Sequence, residues 1–205
     1  MRAFTPLVLA RRQVFWTQPY PLGLAEVPID TLIDVDEARI VLDQSNRNFA
    51  KAVLQAQARS IGHYKGDSRL LIATISACGQ ARRWLRIEDR SGTTLPLFVQ
   101  FIRELLNGLG PGIDGNRRCI MMDNLNVHHH QVVCQMIVAS GHCWVYRAPY
   151  WPKDGPIEYF FNSLEGHLQS CAFECTDAVA MERSMLHFFA GVQTFRNYFE
   201  MVGYR

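Results

Sequence analysis

Leu97, Phe98, Phe101, Ile102, Leu105, Leu106 and Leu109 recur at helical spacing behind Pro96, with Gly108 near the end of the run, and predict a helix. Short apolar runs over 70–77, 84–88, 119–122 and 143–146 predict strands instead. Residues 32–36 and 39–43 read as two further strands joined by a tight turn, with Asp34 and Asp36 on one face at strand spacing. A helix is expected over 128–139, and another from Ile157 that carries Phe160, Phe161, Leu164 and Leu168 on one side. A last helix over 178–199 has Met181, Met185, Phe188, Phe189, Val192 and Phe195 as its apolar set. Pro6, Pro19, Pro21 and Pro28 interrupt any long helix near the start, so residues 1–30 are expected to be an irregular lead-in and 31–205 one globular unit.

Composition narrows the class. A chain of 205 residues with 48% hydrophobic content can bury one sizeable core. No apolar run approaches the length of a membrane span, and the start lacks the apolar centre of a secretory signal, so no membrane and no export are expected. The expected location is the nucleus of a eukaryote or the cytoplasm of a bacterium. The six cysteines form no CxxC pair and are read as reduced thiols.

Charge is unevenly distributed. Eight Arg and two Lys stand against four acids over 39–90, whereas seven acids stand against three Arg over 154–205. Arg outnumbers Lys eighteen to three, which suits bidentate phosphate contact. Arg82, Arg83 and Arg86 are candidates for a track along a nucleic-acid backbone, with a solvated surface as the equal alternative.

Two acids carry the clearest chemistry. Asp123 follows Cys119-Ile120-Met121-Met122 and so ends a buried strand; Glu158 follows Gly155-Pro156 and so lies in the first turn of a helix. A strand-end Asp and a helix-start Glu can converge on one divalent ion. The strings Asp123-Asn124-(x3)-His128 and Pro149-Tyr150-(x)-Pro152-(x3)-Pro156-Ile157-Glu158, with 34 residues between the two acids, resemble the catalytic domain of mariner-like DDE transposases, also described as DDE superfamily endonucleases. Leu32-Ile33-Asp34-Val35-Asp36-Glu37 resembles the first strand of that family. The similarity runs from about Leu32 to Leu168; Gly155 stands where many members have Asn, and Ala148 where many have Pro.

The resemblance implies an α/β, RNase H-like fold with a mixed five-stranded sheet flanked by helices. It implies a catalytic triad of Asp36, Asp123 and Glu158 holding two Mg²⁺ or Mn²⁺ ions, with Asn124 and His128 in support. Asp34, on the same strand face, is the rival first ligand; Asp36 is preferred because the family's Asp is followed directly by Glu. His128, His129 and His130 are consecutive on the expected helix and so cannot chelate one zinc ion together. Trp151 either stacks on an unpaired base or packs beneath its Pro-bounded loop. DNA is the expected partner, and a homodimer is compatible with the reading. Members of the family carry helix-turn-helix modules ahead of the catalytic domain, and residues 1–31 are too few for a paired module, so a domain lacking them is expected. The alternatives are a catalytically retired nucleic-acid-binding domain of the same fold and a nuclease acting on RNA–DNA hybrids.

Overall fold

In the computed structural model, which describes residues 5–41, 68–78, 84–88, 92–149, 151–171, 174–175, 177–192 and 194–204, a five-stranded mixed sheet separates two layers of helices. The strands are β1 (Leu32–Val41), β2 (Ser68–Ser76), β3 (Trp84–Glu88), β4 (Cys119–Met122) and β5 (Cys143–Tyr146). They lie in the order β3-β2-β1-β4-β5: β1, β2 and β3 form an antiparallel meander, and β4 and β5 extend it with strands parallel to β1. This is the RNase H-like arrangement that the sequence predicts.

One strand departs from expectation. No turn interrupts residues 36–39; β1 runs on to Val41, and every residue from Ile33 to Val41 is paired with β2. Its period-2 pattern simply continues, with Ile40 buried and Arg39 exposed.

On one face, α2 (Leu95–Leu109) and α3 (Gln131–Ala139) pack against Ile33, Val35, Ile72, Ile120 and Met122. On the other, α4 (Pro156–Ser170), α5 (Ala178–Gly191) and α6 (Arg196–Val202) cover Leu32, Ala73, Ile75, Met121 and Val145. Alternate residues of β1 therefore belong to different cores, which sends Asp34 and Asp36 toward α4. No helix among the described residues is long and apolar enough to cross a membrane.

Three helix boundaries differ from the sequence reading. The stretch expected to be irregular contains α1 (Pro6–Thr17), whose Thr5 hydroxyl caps the Val8 N–H at 3.4 Å and whose Pro6 sits in the first turn, where a proline costs no hydrogen bond. α3 begins at Gln131 rather than 128, because the His130 ring nitrogen caps the Val132 N–H at 3.3 Å and His128 and His129 form the turn before it. The expected final helix breaks between Gly191 and Arg196, where Phe195 turns inward against Phe160 with ring centroids 5.4 Å apart.

Phe160 is the hub of the second layer. Fully buried, it also meets Phe188, Phe189 and Tyr198, and so ties α4 to α5 and α6. Burial of such a ring against close-packed neighbours leaves a large cavity on truncation. Phe160→Ala is expected to destabilise the fold by about 3–5 kcal/mol, read as a lowered urea midpoint, whereas Phe160→Leu should recover most of that loss.

Candidate functional site

Strand register builds the site. Val35, Met122 and Tyr146 are partners across the parallel strands β1, β4 and β5, so the next residues in each, Asp36, Asp123 and Arg147, lie side by side at one end of the sheet. The Arg147 N–H continues the ladder to the Met122 carbonyl at 2.9 Å. Glu158 arrives from the first turn of α4, which the Gly155-Pro156 pair starts. Asp36, Asp123, Arg147 and Glu158 all line one cleft of about 460 Å³, together with Asn124 and Trp151.

Two aspartates on the same face of β1 have different surroundings. Asp34 is completely buried; its Oδ2 accepts from the Ile157 N–H at 3.0 Å and from Arg147 Nη1 at 3.2 Å. Its Oδ1 is buried with no hydrogen-bond partner among the described residues. Burial pushes the Asp34 carboxyl up to about 7, against the pull of Arg147. Asp36 borders the cleft instead. Its Oδ1 accepts from the Glu37 N–H at 2.7 Å, and its Oδ2 is held by Arg147 Nη2. Burial raises Asp36 as well, with Arg147 opposing and Asp123 adding to the rise. Glu158 is raised by burial and then by the charge of Asp36. These mutual effects mark the acids as electrostatic neighbours.

Asp123 is held from behind. Its Oδ1 receives His128 Nδ1 at 2.7 Å and the Leu125 N–H at 2.9 Å, while its side chain remains 41% exposed. The other ring nitrogen of His128 meets Glu37 Oε1 at 3.1 Å, and the ring lies on Phe98 of α2 with centroids 4.4 Å apart. Burial works against a charged ring, but the hydrogen bonds to Asp123 and Glu37 outweigh it and raise His128 to about 10. Burial would raise Asp123, but its hydrogen bonds from His128 and the Leu125 N–H bring it below the usual carboxylate value. Asn124 Nδ2 donates to the Arg147 carbonyl at 2.5 Å and so ties the ends of β4 and β5 together.

The cleft thus gathers Asp36, Asp123, Glu158, Asn124 and Trp151, and it keeps His128 behind Asp123. Asp34 lies beneath this group, not in it. Trp151 carries Arg12 Cζ 4.9 Å from its ring centroid. Arg82 and Arg83 fall outside the described residues, and Arg86 is described only as a β3 residue paired with Ile72. Sequence reasoning missed Arg147, although its place one residue past a predicted strand was the available signal. It also missed Arg11, which lines the cleft from α1, and Glu37, whose link to His128 depends on the opposite face of β1. Carboxylate oxygens are the donors that Mg²⁺ and Mn²⁺ favour. Among the described residues, however, no three His, Cys, Asp or Glu side chains form a ready-made ligating cluster, and both oxygens of Asp36 are already engaged.

No curated protein matches the chain. Solved structures do. A pre-cleavage Mos1 transpososome aligns with a TM-score of 0.73 and 14% identity, over 96% of this chain and 58% of that one. A Mos1 mariner paired-end complex with Mn gives 0.72 and 15%, over 97% and 59%. The Mos1 transposase catalytic domain with raltegravir and Mn gives 0.65 and 12%, over 95% and 85%. The chain therefore spans a little under three-fifths of the first of these proteins. At such identities the likeness is one of fold. The match of residues 31–180 to the family model for DDE superfamily endonucleases goes further: with the acids set at the strand and helix ends as described, this chain belongs to the DDE superfamily endonuclease family.

Proposed function

We propose that this chain is the catalytic domain of a transposase-type DNA endonuclease and strand transferase, with Asp36, Asp123 and Glu158 as ligands for Mg²⁺ or Mn²⁺, two ions being expected. The observation that supports this reading is that three carboxylates from three separate elements line one cleft. Divalent ions bound there would activate an oxygen nucleophile and stabilise charge on the attacking and leaving oxygens of a phosphodiester.

The chain's own residues have distinct tasks in this scheme. His128 and the Leu125 N–H hold Oδ1 of Asp123, which fixes the carboxylate and leaves Oδ2 without a hydrogen bond from any described residue. Glu37 keeps His128 in place from the far side. Asn124 holds the β5 end against the β4 end, so the Asp123 and Arg147 positions stay together. Arg11 gives the cleft wall a positive charge suited to a DNA phosphate, and Trp151 presents a ring beside it.

A second reading, a DNA-binding domain that no longer cuts, draws on one observation: Arg147 already holds Asp36. The two readings separate on one assay. Purified protein should nick supercoiled plasmid in Mg²⁺ or Mn²⁺, and Asp123→Asn should slow nicking at least a hundredfold, since a ligand to such an ion controls several kcal/mol of transition-state stabilisation. Salt-sensitive DNA binding with no nicking in either metal would select the second reading; nicking unchanged by Asp123→Asn would reject the triad.

His128 gives a pH test of the support behind Asp123. Its value near 10 in the folded protein exceeds its ordinary 6.5, so its contribution to stability is fully present below about 6.5 and is lost as pH rises through about 10. In metal-free protein, the difference in urea midpoint between wild type and His128→Gln should therefore shrink as pH rises from 6 to 10. A difference independent of pH would mean that the ring is held by packing on Phe98 alone.

A further inference from the structure

Arg147 places a permanent positive charge, buried, among the acids of the cleft. Its side chain is 3% exposed, Nη1 lies 3.2 Å from Asp34 Oδ2, and Nη2 grips Asp36 Oδ2. An ion pair this deep persists only where its partners and shape are provided. Asp34 serves this arginine and has no access to the cleft, and its Oδ2 is set for the guanidinium by the Ile157 N–H.

Gly155 is the second, independent sign that the position is built. A Cβ at residue 155 would lie 1.8 Å from Arg147 Nη1 and 2.9 Å from its Cζ. The backbone of Gly155 has φ −95° and ψ 110°, which any residue adopts, so its conformation makes no demand for glycine. The space taken by the guanidinium does.

We propose that Arg147 is a tethered counter-cation of the cleft: its guanidinium holds Asp36 Oδ2 in the absence of a divalent ion, and an arriving ion must displace it before Asp36 can ligate. This rests on the metal reading of the cleft given above. The guanidinium stabilises the folded acids without metal, and it sets a threshold for metal entry, because ion and arginine compete for one oxygen. When Asp36 is released, Asp34 keeps the guanidinium from leaving the site, since that arginine is its one charge partner among the described residues. Asp36 keeps its Oδ1 contact with the Glu37 N–H throughout, so its carboxylate stays oriented while the cation at Oδ2 changes.

The test is Mn²⁺ binding followed by calorimetry and by the loss of the free-Mn²⁺ electron paramagnetic resonance signal, without DNA. Arg147→Met removes the competing charge; Gly155→Ala retains it but drives the guanidinium off its seat. Each variant is expected to bind Mn²⁺ at least about tenfold more tightly than wild type, a modest fraction of the effect of one unit charge at contact distance. If Arg147→Met fails to fold, judged by its circular dichroism, Gly155→Ala alone decides. Wild-type binding that Asp123→Asn abolishes but that neither variant strengthens overturns the proposal and leaves the metal reading standing. No Mn²⁺ binding by wild type or either variant overturns both.

Discussion

The site depends on the parallel register of β1, β4 and β5. Pairing Val35 with Met122 and Met122 with Tyr146 brings Asp36, Asp123 and Arg147, far apart in the chain but each one residue past a pair, to the same end of the sheet. A shift of one residue in either pairing would turn the side chains of that strand to the opposite core, because the strand period is two. Apolar burial enforces the alignment: Ile120 and Met122 belong to the layer of α2 and α3, and Met121 and Val145 to the layer of α4. Polar chemistry at the sheet end is thus positioned by residues that have no polar atoms of their own.

Electrostatics then separates acids that the sequence presents as equivalent. Asp34 and Asp36 share a strand face, yet one is sealed beneath Ile157 and Arg147 while the other borders the cleft. Two cationic groups divide the work of balancing the cluster. Arg147 serves the two aspartates of β1, and His128 bridges Asp123 and Glu37. Glu158 has no such partner among the described residues, and its proton affinity rises from burial and from the charge of Asp36.

Much of this was legible in the sequence, and the exceptions have physical causes. Short apolar runs located β2 to β5, and the Pro96 to Leu109 pattern located α2, because burial on a sheet or on a helix face imposes its own period. Asp123 and Glu158 were recognisable since each follows a local signal, a strand end in one case and a Gly-Pro start in the other. α1 leaves little trace in the sequence because only Val8 and Phe15 are buried in it, so its apolar period is faint, and its proline, which suggests a breaker, occupies the first turn. Arg147 escaped notice for a different reason. Its role depends on Asp34 and Asp36, more than a hundred residues away, and on the missing side chain of Gly155, which no local pattern reveals. The Asp34 and Asp36 alternative was likewise beyond reach of spacing, since both lie on one face and only the docking of α4 distinguishes them.

Asp154, four residues before Glu158, receives Arg12 through two hydrogen bonds of 2.8 Å and the Trp16 indole at 3.2 Å, while its carbonyl accepts the Tyr204 hydroxyl at 2.7 Å. One residue next to the cleft is therefore the knot for segments drawn from both flanks of the 31–180 stretch that defines the family. The stretch recognisable by descent and the unit that folds are consequently different objects in this protein. A piece cut to the family boundaries would keep every acid of the cleft, yet it would leave a buried carboxylate stripped of its arginine on the segment that delivers Glu158.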